Sequence, residues 1–190
     1  MTPTVDLPFP LVGRTLIVGP SNVGKTRLTA RALDAWVSER GPAGVVVFDF
    51  APEVERDGVL LGGRLSRFTT IPSAAWQGVL EAHAPRSDGE TDAAAHALAE
   101  QNADHADRLL DAAPAQPTAV FINDATVALQ ADAARTRRLM AYCDRADVTV
   151  LNAFDSDELG VDDPVSRNER AALERLRSWT DRVVELTSST

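Results

Sequence analysis

Five short apolar runs place the strongest constraint on what this chain can fold into. They are rich in Val, Ile and Phe, and they end at polar residues or glycine. Continuous apolar runs of this kind predict strands that are covered on both faces, as in a parallel sheet. We therefore predict a mostly parallel five-stranded sheet, with strands at residues 15–19, 44–50, 118–124, 147–154 and 181–187.

Helical segments separate these runs, which predicts an α/β fold with helices on both faces of the sheet in a three-layer arrangement. Gly41 is expected to stop the first helix. Ser166 and Glu169 have the spacing of a capping box at the start of the last helix. The predicted helices span residues 24–40, 126–145 and 166–179.

The segment at residues 51–117, between the second and third strands, interrupts this alternation. It contains a glycine-rich stretch, residues 57–67, that we predict as a flexible loop. Two helices are then predicted, near residues 73–83 and 91–112. The 190 residues, 44% of them hydrophobic, suit one domain over residues 1–190 with this loop and helical insertion inside it.

Composition excludes several classes of function. The formal net charge of −9 argues against a broad nucleic-acid surface. No apolar run approaches the roughly 20 residues of a membrane span, and the N-terminal residues lack a signal-peptide pattern, so a cytoplasmic location without membrane contact is expected. The three histidines do not stack on one helix face, which argues against a zinc site.

Residues 19–26, Gly-Pro-Ser-Asn-Val-Gly-Lys-Thr, match G-x-x-x-x-G-K-[ST] between a predicted strand and a predicted helix. Such glycines let backbone N–H groups turn toward phosphate oxygens, and the start of the helix adds its positive dipole end. Lys25 would reach the β- and γ-phosphates, and the Thr26 hydroxyl would coordinate Mg²⁺. The predicted binding residues are Gly19, Pro20, Ser21, Asn22, Val23, Gly24, Lys25, Thr26 and Arg27.

This segment resembles the Walker A motif of the P-loop nucleoside triphosphatases. The resemblance implies the alternating fold, bound ATP and Mg²⁺, and an acid at the end of a nearby strand. Asp124 closes the stretch Thr-Ala-Val-Phe-Ile-Asn-Asp, which resembles a Walker B strand. Asp49 closes the second strand and is followed by Glu53.

The two acids point to different branches of the superfamily. In the RecA-like (ASCE-type) ATPases, which we favour, Asp124 would hold magnesium and Glu53 would polarise the attacking water. In polynucleotide kinases, Asp49 would bind the metal directly. The adjacent Asp-Glu pair of many AAA-type ATPases is missing, since Asn123 precedes Asp124 and Ala125 follows it. The water-activating acid must then come from elsewhere, or hydrolysis is slow.

Each of these acids also has a purely structural alternative. Asp124 could cap the helix that follows it, and Glu53 could be an ordinary surface carboxylate. Asn152, at the end of the fourth strand, could contact the γ-phosphate or the water, or simply face solvent. Ala153 stands where a guanine-reading Asn-Lys-x-Asp motif would have lysine, so ATP is favoured over GTP.

The sequence thus predicts a small Mg-ATP-dependent ATPase that couples hydrolysis to a conformational change, for a protein partner or within a homo-oligomer. A nucleotide-binding switch or scaffold with little turnover is one alternative. The other is a P-loop kinase acting on a small molecule or a nucleic-acid end. Arg64 and Arg67 in the glycine-rich loop could meet phosphate charge or an acidic partner, or lie exposed.

Overall fold

A central sheet organises the residues that the computed structural model describes, 6–61 and 63–188. It has six strands in the order β5-β2-β6-β7-β1-β8, and all of its neighbouring pairs are parallel. A separate antiparallel hairpin joins β3 and β4. The strands are β1 Gly13–Gly19, β2 Val45–Asp49, β3 Val54–Arg56, β4 Val59–Leu61, β5 Trp76–Val79, β6 Ala119–Asn123, β7 Val148–Phe154 and β8 Arg182–Glu185.

Helices cover both faces of this sheet, as the apolar runs predicted. One buried cluster joins the sheet to α1 through Leu28 and Leu33, and the other joins it to α4 and α5 through Leu139 and Leu176. Among the described residues, none of the helices combines the length and the apolar character needed to cross a bilayer. The helices are α1 Lys25–Arg40, α2 Pro85–Asp88, α3 Asp92–Ala112, α4 Thr136–Cys143 and α5 Pro164–Trp179.

The sheet has six strands and not the five we predicted, because the helix expected near residues 73–83 is the edge strand β5. β5 pairs in parallel with β2, with Trp76 opposite Val46. Its Gly78 lies against the Trp76 ring, where a Cβ would approach that ring to 2.6 Å. A four-residue strand has too few positions to show a periodicity of its own, and the open edge of β2 decides its conformation.

The described part of the glycine-rich stretch, residues 57–61 and 63–67, contains a hairpin turn and a 3₁₀ turn where we predicted a flexible loop. Asp57 and Gly58 form the turn of the β3–β4 hairpin, both with positive φ, at 53° and 73°. Asp-Gly is a strong two-residue hairpin signal, so the sequence did carry this information. A 3₁₀ turn, Leu65–Arg67, then returns the chain to the sheet and buries Leu65.

Two predicted helices have different boundaries. The segment 126–145 is divided into two 3₁₀ turns, Ala125–Leu129 and Ala133–Arg135, followed by α4. Asp132 interrupts it, because its extended backbone lets its carboxylate accept from the Ala134 N–H at 2.8 Å. The last helix, α5, begins earlier than predicted.

The N-cap of α5 is Asp163, whose side chain accepts from the Ser166 N–H at 2.9 Å. The predicted capping box of Ser166 and Glu169 is therefore wrong. Glu169 is instead buried, 2.6 Å from Arg86.

The connections after β1 and β7 create a crevice at one edge of the sheet. From β1 the chain crosses one face as α1 to reach β2, and from β7 it crosses the other face as α5 to reach β8. Neighbouring strands whose connections leave on opposite faces form a crevice at their carboxyl ends, where α/β proteins bind ligands. The loop at residues 19–26 begins at this point.

Candidate functional site

The loop between β1 and α1 is shaped by residues with positive φ. Asn22 has φ 60°, and Gly24, the N-cap of α1, has φ 98°. Because Gly24 has no side chain, it cannot supply a capping oxygen to the first N–H groups of α1. At the other end of the loop, a Cβ on Gly19 would come within 2.4 Å of the Leu186 carbonyl oxygen, which explains why glycine is required there.

Lys25 turns back over this loop and donates a hydrogen bond to the Pro20 carbonyl oxygen. Burial lowers the pKa of its ammonium group, while the charges of Asp124, Glu158 and Asp155 oppose that shift. Lys25 is the only lysine in the sequence, and all the other permanently charged cationic side chains are arginines. The partly buried ammonium is therefore a distinctive feature of the loop.

The loop forms one wall of a cleft of about 720 Å³. The protein carries a net charge of −9, yet the charged side chains that line this cleft are mostly basic. A basic cleft on an acidic protein favours an anionic ligand. The charged residues along it are Lys25, Arg27, Arg31, Arg67 and Asp124.

Behind the loop, three polar side chains form a row across β2, β6 and β7, on the sheet face that α1 covers. They are Asp49, Asn123 and Asn152, each about 1% exposed or less. The Asn123 amide donates to Asp49 Oδ1 at 2.8 Å, and the Asn152 amide donates to Asn123 Oδ1 at 2.9 Å. Parallel register explains this row, because Asp49 pairs with Asn123 and side chains alternate between faces.

The row is joined to the loop through Thr26, whose hydroxyl donates to Asn123 Oδ1 at 3.0 Å. Asn123, to which our sequence analysis gave no role at the site, is thus the strand-end residue that contacts Thr26. Its amide orientation is fixed, because its nitrogen also donates to the Gly63 carbonyl at 2.9 Å. The cue in the sequence was that Asn123, and not Asp124, follows the apolar residues of β6 directly.

Asp49 lies deeper than the cleft. Its Oδ2 accepts from the Leu65 N–H at 2.7 Å, and its Oδ1 accepts from Asn123. Burial raises the pKa of this carboxyl, and these hydrogen bonds together with the charge of Arg64 oppose the shift. In the described chain, Asp49 is not one of the residues lining the cleft.

Asp124 does line the cleft. It has the left-handed φ of 59°, and its N–H is held by Asn152 Oδ1 at 2.9 Å. Within the described chain, its carboxylate makes no capping hydrogen bond to the 3₁₀ turn that follows, so the capping alternative fails. Burial, with a smaller contribution from the Glu169 charge, raises the pKa of Asp124 to about 6.

Glu53 is on the hairpin side of the cleft, exposed and 3.7 Å from Arg67. It is not among the described residues that line the cleft. Arg27, the last predicted binding residue, holds its guanidinium 5.5 Å from the centre of the Phe68 ring. Both Arg27 and Phe68 line the cleft, so this pair forms part of its wall.

One oxyanion already contacts the loop. The carboxylate of Glu158, from the segment after β7, accepts from the Ser21 N–H at 2.8 Å. This contact is direct evidence that the loop presents an N–H group to an anion. It also means that an incoming anionic ligand would compete with Glu158 for that donor.

In comparisons with known proteins, no protein-family model matches the chain, and no curated protein matches it. Within residues 6–61 and 63–188 there is no cluster of three or more His, Cys, Asp or Glu side chains that could hold a metal ion.

Proposed function

We propose that this protein binds a nucleoside triphosphate, ATP in preference to GTP, in the cleft, and that it is a small ATPase of the RecA-like type. The observation that carries the proposal is the loop of residues 19–26. Its glycine N-cap and Lys25 line a basic cleft at the carboxyl ends of parallel strands, and its Ser21 N–H already donates to a carboxylate, that of Glu158. Backbone N–H groups at a helix start beside a lysine are suited to triphosphate oxygens. A cytoplasmic location remains a prediction.

The oxygen atoms around Thr26 fit Mg²⁺, which prefers oxygen ligands and usually keeps few protein contacts. The Thr26 hydroxyl would hold the ion, with Asn123 Oδ1 beside it, and the Asp124 carboxylate would contact the ion only through a bound water. Magnesium would supply positive charge to the β- and γ-phosphates. Both oxygens of Asp49 already accept hydrogen bonds, so we expect it to act by fixing the orientation of Asn123.

For proton transfer, we propose Asp124 in place of Glu53. Asp124 lines the cleft with Lys25, and its pKa of about 6 leaves it ionised, yet able to accept a proton, near neutral pH. Asn152 holds the Asp124 backbone and also lines the cleft. It would therefore position the Asp124 carboxylate. Both N–H groups of the Asn152 amide already donate, to Thr29 Oγ1 and to Asn123 Oδ1, so we do not assign Asn152 the contact with the γ-phosphate that the sequence analysis considered.

Two variants, each of which replaces a carboxylate by the corresponding amide, test whether Asp124 or Glu53 is the general base. Asp124→Asn is expected to retain Mg-ATP binding and to lose phosphate release by about a hundredfold, the scale of a missing general base. Glu53→Gln is expected to retain both. Calorimetric titration measures binding, and release of labelled phosphate from γ-labelled ATP measures turnover. The opposite pattern would return the catalytic role to Glu53, and failure of the unmodified protein to bind Mg-ATP would end the proposal.

The same assay separates the alternatives left open by the sequence. Free phosphate without any added acceptor supports the ATPase, whereas dependence on an acceptor supports a P-loop kinase. Tight binding with negligible release supports a nucleotide-dependent switch, working with a protein partner or as a homo-oligomer.

A further inference from the structure

The segment between β7 and α5, residues 155–163, is strongly acidic. Its sequence is Asp-Ser-Asp-Glu-Leu-Gly-Val-Asp-Asp, which carries five carboxylates and no basic side chain. We call it the acidic strap. It leaves the sheet beside the loop at residues 19–26, because β7 pairs with β1 and sets Phe154 opposite Gly19. An acidic segment therefore begins next to a cleft whose charged side chains are mostly basic.

The strap is attached to the loop at two points. The Asp155 N–H donates to the Gly19 carbonyl oxygen at 3.0 Å, and the Glu158 carboxylate accepts from the Ser21 N–H at 2.8 Å. Burial lowers the pKa of Lys25, and the charges of both carboxylates oppose that shift, so they also act on the ammonium group of the loop. Glu158 thus makes the kind of contact that a phosphate oxygen would make with this loop.

Two ion pairs connect the strap to α5. Asp155 lies 2.5 Å from Arg177, and Asp157 lies 2.5 Å from Arg170. The two arginines are seven residues apart, so they lie on the same face of the helix. Neither arginine is among the described residues that line the cleft. The position of the strap therefore depends on residues outside the candidate site.

The contacts at the tip of the strap are exposed, so they hold it weakly. The side chains of Asp157 and Arg170 are 77% and 54% exposed. Exposed ion pairs contribute little, because water screens the charges and ordering two long side chains costs entropy. A triphosphate brings more negative charge to the loop than one carboxylate does, so it can displace Glu158. The strap is thus suited to lower the affinity of an anionic ligand without excluding it.

We propose that the acidic strap is an autoinhibitory element, in which Glu158 occupies the Ser21 N–H and the ion pair between Asp157 and Arg170 holds it there. The strap must leave Ser21 before a phosphate group binds to this N–H. The apparent affinity is then the intrinsic affinity multiplied by the fraction of molecules in which the strap is open. This inference rests on the proposed function, because it describes how the same cleft is regulated.

Exchange of the Ser21 amide hydrogen with water reports the opening of the strap without any ligand. NMR magnetisation transfer from water measures it in ¹⁵N-labelled protein. Arg170→Ala and Asp157→Ala break the same ion pair, and each should raise the exchange rate about twofold to fivefold. Glu158→Ala should raise it further, and exposed Arg137→Ala on α4 is the control that should change nothing. An Arg170→Ala rate equal to that of the unmodified protein would overturn the proposal.

Calorimetric titration with Mg-ATP tests whether the strap inhibits binding. Arg170→Ala should raise the affinity by the same factor as the Ser21 exchange rate. The direction is diagnostic, because loss of a positive charge would otherwise weaken the binding of an anion, and misfolding cannot increase affinity. In a Glu158→Ala background, Arg170→Ala should have no further effect, since the arginine acts through the strap. Unchanged or weaker binding in Arg170→Ala, or the same gain without Glu158, contradicts autoinhibition.

The proposed function and the strap can fail separately when inorganic triphosphate is used as a second probe. It carries the phosphate groups without the base and the ribose. If it binds and Mg-ATP does not, nucleotide binding fails, and the comparison of Arg170→Ala with the unmodified protein is made with triphosphate. If neither probe binds to Arg170→Ala or Glu158→Ala, there is no binding for the strap to inhibit, and both proposals are overturned.

Discussion

The two halves of the candidate site are built in opposite ways. The loop at residues 19–26 is one continuous segment whose distinctive features are left-handed residues and a single lysine. The row of Asp49, Asn123 and Asn152 comes from three strands that are far apart in sequence, and it works through side chains. Thr26 is the hydrogen-bonded link between them.

We expect this difference to separate ligand binding from stability. The loop faces an open cleft, so its side chains can change without leaving buried groups unpaired. The row is fully buried, and each member satisfies a neighbour in a medium where an unpaired polar group is costly. We expect loop variants to alter affinity and row variants to alter the free energy of unfolding. The four predictions below test that separation.

The largest effect is expected from Lys25→Ala. Loss of the ammonium group should weaken Mg-ATP binding by roughly a hundredfold or more, because charged hydrogen bonds to phosphate are the strong ones. The melting temperature should change little. Titration calorimetry and thermal melts measure the two quantities, with exposed Arg137→Ala as the control. Unchanged ATP affinity would remove the loop from the proposed site.

On the row, Asp49→Ala should lower the free energy of unfolding by about 2–4 kcal/mol. The Leu65 N–H and the Asn123 amide would both lose their acceptor inside the protein. Urea denaturation measures the change, and Asp162→Ala at an exposed position is the control. Asp49→Asn keeps one acceptor oxygen and should lower the free energy of unfolding by less than Asp49→Ala does. A stability loss no greater than the control's would contradict the separation of loop from row.

Asp124 lies between the two halves, and its effect should depend on pH. Its folded pKa of about 6 exceeds its ordinary value of 3.8, so the folded protein retains a proton that the unfolded chain releases. The contribution of Asp124 to the free energy of unfolding therefore falls as the pH rises from about 4 to about 6. Asp124→Asn removes that penalty and, since Asn tolerates positive φ, should stabilise the protein by about 1–2 kcal/mol at pH 7.

The measurement is urea denaturation of both proteins at pH 4 and pH 7. The difference between their free energies of unfolding should be small at pH 4 and should reach about 1–2 kcal/mol at pH 7. A difference that does not change with pH would show that the Asp124 carboxylate is not desolvated in the folded state.

The smallest effect is expected from Glu158→Gln. This change removes the charge that occupies the Ser21 N–H, and with it the competition against an anionic ligand. We expect Mg-ATP affinity to rise by about twofold to fivefold, because the pair is exposed. Glu174→Gln on the outer side of α5 is the control. Weaker binding in Glu158→Gln would mean that this carboxylate assists the ligand instead of competing with it.

Sequence reasoning succeeded where the signal was local and long enough to repeat. Continuous apolar runs predicted the buried parallel strands, and the segment 91–112 predicted α3. It failed for β5, which takes its conformation from the open edge of β2, and for the interrupted segment 126–145, where a single side chain ends the helix. Asp57-Gly58 is a local hairpin signal, and a prediction of flexibility from glycine content alone misses it.

By itself, the sequence determined the loop, because its glycines, lysine and threonine act within eight consecutive residues whose geometry follows from backbone rules. It also predicted an acid at the end of the second strand, Asp49, and one at the end of the third, Asp124. Only the tertiary structure decided which polar group meets Thr26 and which acid faces the cleft. Parallel pairing sets Asp49 beside Asn123 in the interior, and the next residue, Asp124, turns at positive φ into the cleft. Strand register is a property of the folded sheet, so no local pattern could have assigned those roles.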